Sequence, residues 1–513
     1  MPKKLPLGLQ DFRGIIEDGY KYIDKTKFIH AIVTSGKYFF LSRPRRFGKS
    51  VTISTLKEIY SGSKSLFKGL WIEDKWDWNK KNPILHITLT GSGFVETGLE
   101  KALHYILDRL IRDHELPPVH GGVSSRFDQI IYLLSKKGKV VVLVDEYDAP
   151  IIHYLAIDLV KAYENRDLLK EFYTVLKTNE ALLELVFLTG VSKFSKTGIF
   201  SGLNNLVDLS MHPAYATMLG YTQEELEINF SEEIEVAKDV LKLSREDLLE
   251  KLRVWYNGYR FEEMAEKVYN PVSINNFFDR NKFENFWFTT GTPTFLVNLL
   301  KKEGIFDLNL PAINPGGFES FELDRLKPEA ILFQTGYLTI QQVNEDGLVQ
   351  LAYPNKEVRD SMLEVLIEGF LNVDVERSAN LVIRIRNAFR ENNIDQVMHI
   401  LQSVFANIPY VLNAKYSENF FHAAIHLLFS YLGIRIHSEV CTAEGRIDSM
   451  VETDTHVFIL EFKVDKSPEV ALAQIQQKKY YQGMWLLGKP VIGIGIQFSS
   501  KTRNITHWSV QAF

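Results

Sequence analysis

The chain has 513 residues, enough for about three domains of ordinary size, and its 45% hydrophobic and 24% charged content is that of a globular protein. With 64 acidic against 59 basic residues it carries a net charge of −5, which excludes a global basic field for nucleic acid and leaves any such binding to local patches. The single cysteine, Cys441, excludes an intrachain disulfide framework, the start MPKKLPLGLQDF lacks a signal-peptide pattern, and no apolar run reaches membrane-spanning length, so a cytoplasmic protein with no membrane partner is expected.

From the start to about residue 215, short β-rich runs alternate with helical patterns: KYFFLS and VTISTLKEIY, then PILHITLT, KVVVLVDE and LELVFLTG. Strands alternating with helices predict a parallel sheet covered on both faces. After KYFF comes SRPRRFGKS, residues 42–50 with the preceding Leu41 closing the apolar run. A phosphate loop of the form G-x-x-x-x-G-K-[ST] needs glycines to let backbone N–H groups wrap phosphates, a lysine for the terminal phosphates and a hydroxyl for magnesium. Gly48, Lys49 and Ser50 match in order, whereas Arg43 stands where the first glycine would be. A helix opening at Ser50 aims its positive end at an anion, and Arg45 and Arg46 add charge beside it. In isolation, a basic surface loop with a chance GKS would read the same.

KVVVLVDEYDAP favours the nucleotide site, because an apolar β-branched run presents Asp145 and Glu146 at the end of a buried parallel strand. Asp145 is expected to hold a magnesium shell through water, and Glu146 to orient and deprotonate the attacking water. LELVFLTG brings Thr189 to the next strand end, where a polar side chain would sense the terminal phosphate or that water. Lys193 and Lys196 are further candidates to face phosphate, solvated lysines being the ordinary alternative.

Residues 216–415 read as mainly helical, interrupted by WYNGYRF and FQTGYLTI, which expose no chemistry by themselves. Residues 416–513 change character again. A helix closed by Gly433 is followed by RIHSEV, GRIDSMVE and HVFILEFKV as strands. A helix over SPEVALAQIQQKKYYQG, with Ser467 as N-cap and Pro468 at its first position, then leads to a final strand, VIGIGIQF. The order is αβββαβ.

Period-two geometry puts Glu461 and Lys463 on one face of HVFILEFKV, with Leu460, Phe462 and Val464 on the other. If Asp454 and Thr455 centre a two-residue turn, Asp448 lies opposite Glu461. Two hard oxygen ligands favour Mg2+, or Mn2+, with a bound water polarised by Lys463 for attack on a phosphodiester. A cross-strand ion pair on a surface hairpin is the alternative, weakened because two acids face each other. Gln474, Lys478 and Tyr481 fall on one predicted helical stripe, and Glu418 and Glu439 are further possible ligands. Lys466, Lys478, Lys479, Lys489, Lys501 and Arg503 form a local basic surface suited to a nucleic-acid backbone.

YIDKTKFI, FLSRPRRFGKS, VVLVDEYDAPI, FSKTGIFSGLNNL, WYNGYRF, FWFTTGTPTFL, FQTGYLTI, YPNKEVR, GRIDSMVE, EFKVD and ALAQIQQKKYY together resemble the bacterial AAA-ATPase-like family with a C-terminal PD-(D/E)XK nuclease domain. The resemblance runs nearly end to end, and the family's loop looks like RPRRFGKS. It implies an AAA-like P-loop ATPase domain at 1–215, a helical regulatory region at 216–415 and a restriction-endonuclease-like domain at 416–513. It further implies ATP at Lys49, Ser50 and the Asp145–Glu146 pair, and a D…(D/E)xK core of Asp448, Glu461 and Lys463 with Gln474 as its helix glutamine. The expected activity is an ATPase controlling a Mg2+-dependent nuclease acting on nucleic acid, DNA above all, with a homo-oligomer as a further expectation. The rival readings are a nucleotide-switched binding or regulatory protein with a non-cleaving nuclease fold, and an ATPase motor.

Overall fold

The computed structural model describes residues 3–155, 157–194, 199–203, 205–287, 312–317, 327–371, 375–406, 435–442 and 445–513, with positions 296, 299, 300 and 427. Side chains are described for these except at 201–202, 369–371, 375–380, 382, 435–442, 445–447 and 485–487. The chain forms two compact units, Met1–Gly291 with Asn309–Arg359, and Thr292–Leu308 with Asp360–Phe513. The helical stretch expected at 216–415 is thus divided between them.

The first unit is built on a five-stranded sheet. Its elements run β1 (Tyr38–Ser42), α1 (Lys49–Tyr60), β2 (Ile84–Thr88), α2 (Leu99–Asp113), α3 (Val123–Ser135), β3 (Val140–Asp145), α4 (Leu159–Thr178), β4 (Leu183–Gly190) and β5 (Val207–Asp208). All strands are parallel, in the order β2-β3-β4-β1-β5. β1 and β3 are buried along their whole length, which is why they read as continuous apolar runs. β5 has no counterpart among the predicted strands, because two partly exposed residues carry no periodic signal. Strand order sets β4 between β1 and β3, so the ends carrying the loop, Thr189 and Asp145 lie side by side. Ligands of open α/β sheets bind in this crevice beyond the carboxyl ends of the strands.

Helices Gln223–Asn229, Ser231–Leu241, Arg245–Tyr256 and α5 (Pro271–Arg280) pack around Phe230, Tyr256 and Phe277, with Ile23 from the N-terminal segment in the same core. Two largely buried ion pairs, Lys21–Glu233 (2.7 Å) and Lys25–Glu225 (2.6 Å), fasten that segment to the helices. The hairpin β6 (Thr339–Val343) and β7 (Val349–Ala352) leads into α6 (Lys356–Leu371), so FQTGYLTI, read as an interruption of helices, supplies a strand.

In the second unit α7 (Val375–Arg390) and α8 (Ile394–Ala406) precede β8 (Arg435–Thr442), β9 (Gly445–Glu452), β10 (Val457–Val464), α9 (Pro468–Gln477), β11 (Val491–Ser499) and β12 (Asn504–Ala512). The sheet order is β12-β11-β10-β9-β8, with β10 and β11 parallel and the other neighbours antiparallel. β10 is central. Ile459 packs with Ile475 of α9 on one face, while Phe458 meets Phe389 of α7 on the other (ring centroids 5.1 Å apart).

Three expectations are corrected or left aside here. VIGIGIQF is not the last strand: β12 follows it, and its polar, part-exposed residues hide it from an apolar scan. The helix over 467–483 stops at Gln477, and Lys479 beyond it adopts φ 48°, a left-handed conformation that no helix continues through. The first helix of the αβββαβ order, with Glu418 and Gly433, lies outside the described residues. No helix among the described residues is long and apolar enough to cross a membrane.

Candidate active sites

The phosphate loop leaves β1 at Ser42 and joins α1 at Lys49. Gly48 caps the helix with φ 95°, where any side chain would be strained. Arg43, at the place of the missing glycine, turns inward and is 2% exposed. Its guanidinium donates to the carbonyls of Ser42 (3.0 Å), Ser210 (2.5 Å) and Tyr215 (3.2 Å), and it lies 4.2 Å from the centroid of the Phe261 ring. Burial pushes its pKa down to about 9. Arg43 therefore braces the loop from behind, and the cationic groups on the open side are Arg45, Arg46 and Lys49.

Lys49 is 5% exposed, and its Nζ donates to the carbonyls of Arg43 and Pro44, both at 2.9 Å. Burial lowers its pKa, while Asp145, Glu146 and Asp148 pull it back up. Arg45, Arg46, Gly48, Lys49, Ser50 and Glu146 share the wall of one cavity of about 590 Å³. Asp145, buried at the end of β3, accepts a hydrogen bond from Thr189 Oγ1 at 2.7 Å. The Thr189 hydroxyl is thus held by the acid beside it. Glu146 follows with φ 52°, a costly conformation for a residue with a Cβ and one that concentrates at functional sites. Lys193, a candidate to face phosphate, is ion-paired with Asp208 (2.6 Å), and Lys196 lies outside the described residues.

The stretches that showed no chemistry in the sequence converge on this loop. Phe47 packs edge-on against Tyr259 (4.8 Å) and Phe261 (5.3 Å) of WYNGYRF. Glu357 of YPNKEVR, buried on α6, accepts the N–H groups of Phe286 (2.6 Å) and Trp287 (2.8 Å) and the Ser273 hydroxyl (2.7 Å). The Phe286 carbonyl in turn accepts from Arg46 Nη1 (2.6 Å), and Trp287 Nε1 reaches the Arg45 carbonyl (3.4 Å). Gly336 of FQTGYLTI has φ 88°, and a Cβ there would sit 2.7 Å from Pro44 Cβ. Gly336→Ala is accordingly expected to cost about 2–4 kcal/mol, through backbone strain and overlap with the loop. Thermal denaturation reads this as a lowered midpoint, and an unchanged midpoint would show that the turn does not bear on Pro44.

In the second unit, β9 and β10 pair Glu452 with Val457 through Ser449 with Leu460, so the next step sets Asp448 against Glu461, as the turn arithmetic requires. Asp448 Oδ2 accepts the Phe462 N–H at 2.9 Å, and Lys463 Nζ donates to Glu461 Oε1 at 3.0 Å. Glu461 is fully buried, and its Oε2 has no hydrogen-bond partner among the described residues. Burial, and then Asp448, push its pKa up to about 7, while Lys463 opposes the shift. The register of β8 on β9, Ser438 with Ser449 and Val440 with Ile447, places position 439 level with Asp448. No group of three or more His, Cys, Asp or Glu is assembled among the described residues; the described site has two carboxylates.

Residues 6–200 match the AAA-ATPase-like family, described as a predicted AAA-ATPase, and residues 416–508 match the PD-(D/E)XK nuclease superfamily. The chain is also 36% identical over 529 aligned residues to an uncharacterized protein in the vnfD 5' region of Azotobacter chroococcum mcd 1, with 99% of each covered. It belongs to the AAA-ATPase-like family.

Two residues of this AAA-ATPase-like chain escape the sequence reading. Asp148, the last acid of DEYD, is buried and accepts the N–H groups of Val191 (3.0 Å) and Ser192 (2.6 Å), pinning the chain just beyond Thr189; burial pushes its pKa up to about 6. In the nuclease-superfamily domain, Tyr480 rather than Tyr481 turns toward the acids. Its hydroxyl bonds to Gln474 and feels the charges of Glu461 and Asp448. The predicted stripe fails because α9 ends before both: Lys478 is exposed, and Tyr481 stacks on Phe513 with centroids 4.6 Å apart. Of the expected basic surface, Lys489 is committed to Glu452 and the Thr453 carbonyl (both 2.7 Å), while Lys466, Lys479 and Lys501 are exposed.

Proposed function

We propose that this chain binds and hydrolyses ATP and uses the nucleotide to control metal-dependent phosphodiester cleavage of nucleic acid, with DNA as the expected substrate. The observation that carries the reading is the pair Asp448–Glu461 beside Lys463, with a buried carboxylate oxygen left without a donor. Facing carboxylates, one of them buried and orphaned, fit Mg2+ or Mn2+ because a hard cation relieves both the repulsion and the missing partner. Asp448 and Glu461 would hold it. When bound, the ion supplies Lewis-acid polarisation of the phosphate and a water of lowered pKa.

This chain's own residues do the rest. Lys463 Nζ, held at Glu461 Oε1, is a positive donor beside the scissile phosphate and stabilises charge developing on its oxygens. Tyr480 and Gln474 offer neutral donors at the rim, and the exposed lysines draw in the backbone. At the other site, Lys49 and the N-terminal turn of α1 receive the terminal phosphates, with Arg45 and Arg46 on the cavity wall. Ser50 and Asp145 would hold the nucleotide's Mg2+, Glu146 would take the proton of the attacking water, and Thr189 would keep Asp145 in place.

Purified full chain is expected to cleave DNA only with Mg2+ or Mn2+, and Asp448→Ala or Lys463→Ala to lose cleavage by roughly 10³-fold. Lys49→Ala is expected to weaken ATP binding by roughly 30-fold or more, read by calorimetry. Single- and double-stranded DNA and RNA all left intact, with and without ATP, would sink the nuclease reading. Retention without cleavage in a filter-binding assay would favour a nucleotide-switched binding protein.

A further inference from the structure

The cavity that holds the phosphate loop extends past it to a slot walled by Leu9, Ile15, Ile23, Met218 and Leu219. An apolar slot of this kind suits the flat face of a nucleotide base, with specificity left to the few polar groups on its wall. One of those is Asn275 of α5, which is 5% exposed. Its Oδ1 is buried with no hydrogen-bond partner, while its Nδ2 donates to the Tyr221 hydroxyl at 3.5 Å. A buried acceptor without a donor is costly and uncommon in a folded protein, so its place in the wall of this cavity points to a donor that arrives with the ligand.

We propose that Asn275 reads the purine edge and makes the site selective for a base with an amino group at position 6. A 6-amino purine offers an N–H to Oδ1, whereas a 6-oxo purine sets lone pair against lone pair. Tyr221 sets the direction in which the amide faces. The inference rests on the nucleotide-binding reading above and adds to it the choice of base. Neighbouring Asn276 is occupied within its own helix, donating to the Val272 carbonyl at 2.8 Å, which leaves Asn275 as the amide with an open acceptor.

The test is equilibrium binding of ATP, inosine triphosphate and inorganic tripolyphosphate to the full chain. ATP and inosine triphosphate differ at position 6, and tripolyphosphate reports the phosphate end alone. Wild type is expected to prefer ATP over inosine triphosphate by about 10- to 100-fold. Asn275→Ala is expected to bring that ratio near one with tripolyphosphate affinity unchanged, which also shows that the variant is folded. Tyr221→Phe, which frees the amide to rotate, is expected to narrow the ratio by improving inosine triphosphate. Equal binding of the two nucleotides by wild type, or a ratio that survives in Asn275→Ala, would overturn the inference and leave the phosphate site standing. Binding of none of the three would overturn both.

Discussion

Replacing Glu461 with glutamine is expected to cut metal-dependent cleavage by roughly 10³-fold while leaving the second unit folded. Glutamine has nearly the same volume, can still accept from Lys463 at Oε1, and brings an N–H where Glu461 Oε2 has no partner. It also removes one of two facing negative charges, so nothing in the packing opposes it. What it removes is the second hard anionic ligand. A thermal shift separates this from a general defect: Mg2+ or Mn2+ should raise the melting temperature of wild type by binding only the folded state, and should not raise that of Glu461→Gln. Equal metal-induced shifts in the two proteins would show that the metal does not sit at this pair.

The second large effect is expected at Glu357, far in sequence from any recognised motif of the loop it supports. Glu357→Ala leaves the N–H groups of Phe286 and Trp287 buried without an acceptor and releases the main chain that holds Arg46, at a cost of about 3 kcal/mol or more. ATP affinity should fall about tenfold with it. Glu357→Gln keeps the acceptor and should keep the affinity. Burial pushes the Glu357 pKa from its ordinary 4.5 up to about 7, against the opposing charge of Arg46. Between those values the folded chain holds a proton that the unfolded chain has released, so wild-type stability falls as pH rises across the window, by an amount on the order of 3 kcal/mol. Tyr256 and Tyr259, which also face this carboxylate, stay neutral throughout because burial raises both well above 10. Glu357→Gln should lose that pH dependence. Melting curves at pH 5 and pH 8 compare the two, and parallel behaviour would show that Glu357 is not the group responsible.

What the sequence made legible follows from how each feature is encoded. β3 and its acids were readable because a strand buried on both faces leaves an unbroken apolar run that ends where the chemistry begins. The Asp448–Glu461 pairing was readable because antiparallel register is arithmetic once the turn is placed, and the turn here is closed by Thr453 N–H to the His456 carbonyl at 2.9 Å. Tyr480 was missed because helical spacing was carried past Gln477, and a single left-handed residue at Lys479 reorients everything after it. The roles of Arg43, Gly336 and Glu357 were out of reach for another reason. Their partners lie far away along the chain, and neither periodicity nor local propensity encodes a contact between Gly336 and Pro44. The question raised by SRPRRFGKS is answered in the same terms: Arg43 spans three carbonyls and an aromatic ring, a bracing that a glycine could not give.

The central claim, that a nucleotide site on this chain governs a metal-dependent nuclease site, is tested most directly by one time course. DNA cleavage is followed in Mg2+ with and without ATP, for wild type and for Lys49→Ala side by side. The account predicts a cleavage rate that changes on adding ATP in wild type and does not change in Lys49→Ala, with both rates lost in Mg2+-free buffer. A wild-type rate that is the same with and without ATP, or no cleavage in any condition, would contradict it.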